Sequence, residues 1–201
     1  MCIRDRVYSE LLAEFNKLGA EWIQFDEPYL VHDLTESDIV LFEKLYKEIL
    51  TAKQGVKILV QTYFGDVRDC YNNILALDFD GVGLDFTEGK KTVEIIEKNG
   101  FANDKILFAG VVNGKNIWKN NYKKTLAVLD SLKEKGIETV IGTSCSLLHV
   151  PYTLKNESKL PKKYAEHFAF AEEKLIELAE LKFLTDTDNF ENETAYIANC
   201  K

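Results

Sequence analysis

Two carboxylates stand side by side where an apolar run stops. Trp22-Ile23-Gln24-Phe25 has the aromatic and β-branched character of a packed strand, and Asp26, Glu27 and Pro28 follow at once, the proline having no N–H to give to a ladder. The strand therefore ends on its acidic pair. Polar residues also sit at the ends of four later apolar runs: Thr62 with Tyr63, Asp85, Asn113, and Ser144 with Cys145. Two or three carboxylates around one rim suit binding of an amine or a cation, or general acid and base work. Taken singly, each is better explained as a cap that accepts backbone N–H bonds from the following loop or helix. Cys145 between Ser144 and Ser146 has the reactive type of a thiolate nucleophile or ligand, although an inert buried cysteine is the commoner case. His149 is placed either to reach over the rim or to serve as a hydrogen-bonded structural histidine. Trp118 and Tyr122 suit stacking on a planar ligand as well as helix packing. Lys115 and Lys119 suit an acidic tail as well as plain solvation.

The elements that must position these groups alternate. Leu11, Leu12, Phe15 and Leu18 keep helical spacing from Val7 until Gly19, and the Trp22 strand follows. Thr35-Glu36-Ser37-Asp38 offers an N-cap with an acidic first turn, and Leu41, Leu45 and Ile49 mark the expected buried face of the second helix. Residues 57–64 read as a strand, 67–76 as a short helix, 81–85 as a glycine-flanked strand and 90–98 as a helix. Residues 106–112 are apolar without alternation, as in a strand covered on both faces. A helix from Tyr122 closes at Gly136, and Glu138 to Ile141 is the fifth strand. One long helix is expected from Pro161 to Phe183, with Phe168, Ala171, Leu175, Leu178 and Leu181 on its stripe, and the tail 185–201 reads as loop.

Strands each followed by a helix indicate βαβ units on a parallel sheet, hence an α/β fold. There is no G-x-G-x-x-G after the first strand, and polar residues at all five strand ends suit a (β/α)8 TIM barrel, of which about five strands are present. The barrel is expected to be incomplete, with unpaired flanks on its first and fifth strands that favour aggregation or marginal stability. Residues 1–6 fit no pattern and are expected to be an artefact at a truncated start, residues 7–184 form the partial barrel, and 185–201 form a linker or the start of an interdomain segment.

The 201 residues carry 25 basic and 33 acidic side chains, a net charge of −8, without a basic block, so nucleic acid is not the expected partner. No apolar run is long enough to cross a bilayer and no secretory h-region opens the chain, so no membrane partner is expected and the cytoplasm is the expected compartment. The four cysteines are scattered and read as free thiols, and no H-E-x-x-H helix suggests a metal.

Three stretches together carry a resemblance: Trp22-Ile23-Gln24-Phe25-Asp26-Glu27-Pro28, Val111-Val112-Asn113-Gly114-Lys115-Asn116-Ile117-Trp118, and Ser144-Cys145-Ser146-Leu147-Leu148-His149. In order and spacing they resemble the N-terminal domain of the cobalamin-independent methionine synthases, over about residues 7–183. The resemblance implies part of an enzyme with two face-to-face barrels, an S-methyltransferase that moves a methyl group from 5-methyltetrahydropteroyl-polyglutamate to homocysteine and forms methionine. It places the zinc that activates the homocysteine thiol in the C-terminal catalytic barrel, a partner in cis that this chain lacks, and implies no cofactor here.

Compared with the catalytic barrel, Asp26 matches the aspartate that holds the homocysteine amine. Gln61 and Tyr63 fall near a metal histidine and cysteine, Asp85 near the metal glutamate, and Cys145 at the last metal cysteine. Glutamine and tyrosine do not replace an imidazole and a thiolate. The resemblance thus implies a vestigial pocket of Asp26, Glu27, Gln61, Tyr63, Asp85, Asn113 and Cys145, with no catalytic residue and no metal ligand, in a chain inactive by itself. Two alternatives stay open: a non-catalytic scaffold that helps hold folate, and a stand-alone TIM-barrel relative of decarboxylase or methyltransferase type.

Overall fold

A computed structural model describes residues 3–200, which leaves Met1 and Cys2, both within the stretch read as an artefact, outside the described residues. Five strands are hydrogen-bonded in the order β1 to β5: β1 (Trp22–Asp26), β2 (Lys57–Gln61), β3 (Gly81–Asp85), β4 (Ile106–Val112) and β5 (Thr139–Thr143). Helices α1 (Ile3–Lys17), α2 (Glu36–Thr51), α3 (Tyr71–Ala76), α4 (Thr92–Asn99), α5 (Tyr122–Glu134), α6 (Lys162–Ala165), α7 (Ala171–Thr185) and α8 (Thr194–Asn199) alternate with and follow them. The expected α/β alternation is therefore what the chain adopts. None of the described helices is long and apolar enough to cross a membrane.

The chain divides into two compact units, residues 1–108 and 109–201. In the first, β1 and β2 run parallel in a register that sets Asp26 opposite Gln61, and β2 and β3 run parallel with Gln61 opposite Gly83. The core of β2 and β3 is Ile58, Leu59, Val60, Val82 and Leu84, all buried. Helix α2 starts where its capping box predicts, with the Thr35 side chain accepting from the Asp38 N–H and Asp38 accepting from the Thr35 N–H. Its buried face differs from the expected one. Leu41 is 54% exposed, whereas Phe42, Tyr46, Ile49 and Leu50 are buried. The Phe42 and Tyr46 rings meet at 4.9 Å, and Tyr46 packs on Phe79 at 5.1 Å and on Phe25 at 6.0 Å. Ring packing turns the helix by about one residue from the Leu41–Leu45 stripe. Helix α1 also begins earlier than Val7, and of its expected stripe only Leu12 is buried.

In the second unit, α5 buries Tyr122, Leu126, Leu129 and Leu132. The single long helix expected from Pro161 is instead α6 and α7, separated by residues 166–170, where Phe168 forms a bridge with Trp118. The backbone there bonds sideways: Lys119 N–H donates to His167 O at 3.0 Å and Ala169 N–H donates to Ile117 O at 2.8 Å, which a continuous helix does not allow. The inward face of α7 carries Lys174, Glu177, Leu181 and Leu184, while Leu175 and Ile176 are more than half exposed. The tail is not a loop. Helix α8 docks on α5 through Asn199, whose side chain accepts from Tyr122 N–H at 3.0 Å and donates to Asn120 O at 2.9 Å.

Candidate functional site

Asp26, Glu27, Gln61, Tyr63 and Asp85 belong to the first unit, and Asn113 and Cys145 to the second. At the end of β1 the Asp26 carboxylate is exposed and accepts from Gln24 Nε2 at 2.7 Å. These two side chains lie two residues apart, on one face of the strand. Glu27 leaves the strand: its N–H donates to Gln61 O at 2.8 Å, and its carboxylate accepts from the Tyr46 hydroxyl. Burial, and then the Glu27 bond, push the Tyr46 phenol well above its ordinary range. Sequence reasoning missed Tyr46, because its spacing on α2 reads only as core.

Next along the row, the Gln61 side chain lies across Gly83. A Cβ at Gly83 would come within 2.0 Å of Gln61 Oε1, so the glycine makes room for the amide. Gln61 Nε2 donates to Thr62 O at 2.9 Å, and Thr62 is itself buried with its hydroxyl donating to Gly83 O. Tyr63 stacks edge-on with Phe64 at 4.9 Å.

Asp85, 1% exposed, is the most committed carboxylate. One oxygen accepts from Thr87 N–H (2.7 Å), Thr87 Oγ1 (2.9 Å) and Glu88 N–H (2.9 Å), and the other accepts from Phe64 N–H at 3.0 Å. Phe64 has φ +75°, a left-handed conformation that costs a non-glycine residue about 1–3 kcal/mol. The bond from Phe64 to Asp85 is one of the contacts that hold it there. At Asp85, therefore, the capping reading prevails over the ligand reading. Gln61, Tyr63 and Asp85, whose oxygens already take four hydrogen bonds, supply none of the nitrogen and sulfur donors that zinc sites favour. Among the described residues no cluster of three or more His, Cys, Asp or Glu is placed to hold a metal.

In the second unit the Asn113 side chain accepts from Lys115 N–H (2.8 Å) and Asn116 N–H (3.0 Å), closing the turn after β4. Gly114 N–H donates to Ser144 Oγ at 3.3 Å, and a Cβ at Gly114 would stand 2.3 Å from Cys145 O. Cys145 is 5% exposed, which favours the inert reading over the nucleophile. Tyr122 is buried with its hydroxyl donating to Glu180, so it packs the helix and does not stack on a ligand. Trp118 is 57% exposed with its ring against Phe168 at 5.2 Å, and Lys115, Lys119 and His149 are exposed. Sequence reasoning also missed Asn120. Its amide donates to Val111 O (2.7 Å) and accepts from Thr125 Oγ1 (2.7 Å), while its backbone joins Glu177 and Asn199.

Residues 5–136 match the protein family described as the cobalamin-independent synthase, N-terminal domain. The chain belongs to that family. Among curated members of this synthase family, the 5-methyltetrahydropteroyltriglutamate–homocysteine methyltransferase of Lactococcus lactis subsp. lactis (strain IL1403) is 56% identical over 174 residues, covering 87% of this chain. The protein of the same name from Campylobacter jejuni subsp. jejuni serotype O:23/36 (strain 81-176) is 53% identical over 175 residues, again 87% of this chain. The chain spans 23% of the length of each of these relatives. A solved B12-independent methionine synthase from Shewanella sp. W3-18-1, in complex with selenomethionine, superposes with a TM-score of 0.55 at 13% identity. That match covers 74% of this chain and 48% of that one, and it concerns the fold alone.

Proposed function

We propose that this chain is part of a cobalamin-independent methionine synthase, the enzyme that transfers a methyl group from 5-methyltetrahydropteroyl-polyglutamate to homocysteine to form methionine. The observation that carries this reading is the 56% identity, over 87% of the chain, to a homocysteine methyltransferase. Within that enzyme residues 7–184 are part of the N-terminal barrel and 185–201 lead toward the C-terminal catalytic barrel, the partner in cis. The zinc that makes homocysteine a thiolate belongs to that catalytic barrel. The compartment is the cytoplasm.

The role of this chain in the enzyme is to scaffold and to present a substrate-holding surface, not to supply reacting groups. Gln61, Asp85 and Asn113 support that role, because each spends its side chain on the protein's own backbone. The strand-end residues Asp26, Glu27, Gln61, Tyr63 and Asp85 of the first unit, and Asn113 and Cys145 of the second, are accordingly vestigial. Purified chain supplied with the methyl-folate triglutamate, homocysteine and zinc is expected to yield no methionine above background. Methionine formed at a rate that scales with chain concentration would show that reacting groups reside here after all.

A further inference from the structure

Helix α7 buries two ionisable side chains one turn apart, and both grip the same short piece of backbone. Lys174 is fully buried and its Nζ donates to Trp118 O at 3.1 Å. Glu177 is 5% exposed, and its Oε1 accepts from Asn120 N–H at 2.8 Å. The other oxygen, Oε2, accepts no hydrogen bond from any protein group, and among the described residues it is the single buried side-chain oxygen or nitrogen in that position. A carboxylate that spreads its charge over both oxygens needs donors at both. A neutral carboxyl needs much less, since its carbonyl oxygen keeps the Asn120 bond and the hydroxyl carries no net charge.

We propose that Glu177 holds a proton in the folded protein and that, with Lys174, it forms a pH-gated latch on residues 118–120. The segment has other anchors as well: Trp118 N–H donates to Asn116 Oδ1 and Asn199 Nδ2 donates to Asn120 O. Its Trp118–Phe168 bridge and the Lys119-to-His167 bond tie it to residues 166–170, and Asn120 ties it to Val111 and Thr125. The charged groups that face the pair set the sign. Burial, the largest influence, and Glu180 on α7 oppose a negative Glu177, whereas the Asn120 N–H bond, Lys174 on α7 and Lys119 on the gripped segment favour it. Lys174 in turn is disfavoured as a cation by burial and favoured by Glu177 and by Cys145 at the end of β5. Tyr122 of α5 faces the same group of acids and donates to Glu180. Burial thus raises Glu177 above its ordinary value of 4.5 and lowers Lys174 below its ordinary 10.5.

The linkage follows. A carboxyl that binds its proton more tightly when folded adds stability that is full below pH 4.5 and is lost as pH rises through the raised value. Above that value the bare carboxylate is drawn toward water, Asn120 N–H loses its acceptor, and the 118–120 segment loosens. Glu177→Gln keeps the accepting oxygen and removes the proton, so it mimics the closed latch at every pH.

Two measurements on the whole chain test this. Carbon-detected NMR of the side-chain carboxyls, with Glu177 assigned through its own methylenes, should show Glu177 titrating above 4.5. Titration at or below that value would overturn the latch. Trp118 emission, read in a Trp22→Phe background, should change across the same pH interval and stay flat when Glu177→Gln is added. An unchanged transition in the double variant would overturn the proposal equally, and the NMR titration decides the matter even where Glu177→Gln does not fold.

Discussion

Tyr46 shows how a residue with no motif comes to govern one that has a motif. Its hydroxyl is the partner of Glu27 in the acidic pair, and its ring joins Phe25, Phe42 and Phe79. Tyr46→Phe removes the hydroxyl and leaves the packing, so at neutral pH it should destabilise the chain by about 1.5–3 kcal/mol, the range for a bond to a charged acceptor. The same group fixes an alkaline response. Because folding raises its pKa above 10.0, its contribution is full below that pH and falls as pH climbs past it. Urea midpoints at about pH 8 and about pH 11 should therefore differ less in Tyr46→Phe than in the parent. Equal differences would mean that Tyr46 carries no linked proton. At this scale the sequence was legible for Asp26, Glu27 and Asn113, whose types belong at strand ends. It was silent on Tyr46, Asn120 and Glu177, whose partners lie 19, 79 and 57 residues away in the chain.

Elements were easier to read than their faces. Runs of apolar residues bounded by Gly, Asn and acidic pairs located all five strands, and the Thr35 box located the start of α2 to the residue. The inward face of α2 was not legible, because Leu41 and Phe42 are neighbours of similar hydrophobicity and only the rings of Phe25 and Phe79 choose between them. That choice is measurable: Phe42→Ala should cost about 3–5 kcal/mol as a large-to-small core change. Leu41→Ala should stay within about 0.5 kcal/mol as a surface change. Comparable losses from chemical denaturation would return the helix to its sequence-based face. Helix α7 misled for a related reason. Its apolar periodicity is genuine, yet Leu175 and Ile176 face outward while Lys174 and Glu177 lie inside, where they serve backbone groups that no aliphatic side chain can serve.

Among the described residues, β1 and β5 stand at the two ends of the strand order. Beside β1 in sequence, α1 exposes Val7, Leu11 and Phe15, and Leu18 just after it is 80% accessible. Unpaired strand edges and a helical apolar stripe are both templates for association. The purified chain should therefore self-associate with rising concentration in sedimentation velocity, and Leu11→Lys should weaken that association. A monomer at every concentration with one cooperative melt would contradict this expectation. The α/β class was legible from alternation alone, and the family from three short stretches, whereas the division into units at residue 108 left no trace in composition because it falls inside β4.

The turn after β4 has a consequence for how the chain ages. Asn-Gly pairs lose ammonia when the glycine nitrogen attacks the asparagine carbonyl, which requires a free nitrogen and a side chain able to swing. Here the Gly114 nitrogen is bonded to Ser144 and the Asn113 oxygen is held by two amides, so the native fold itself acts as the preservative. Isoaspartate at this dipeptide should accumulate first in samples that have begun to unfold.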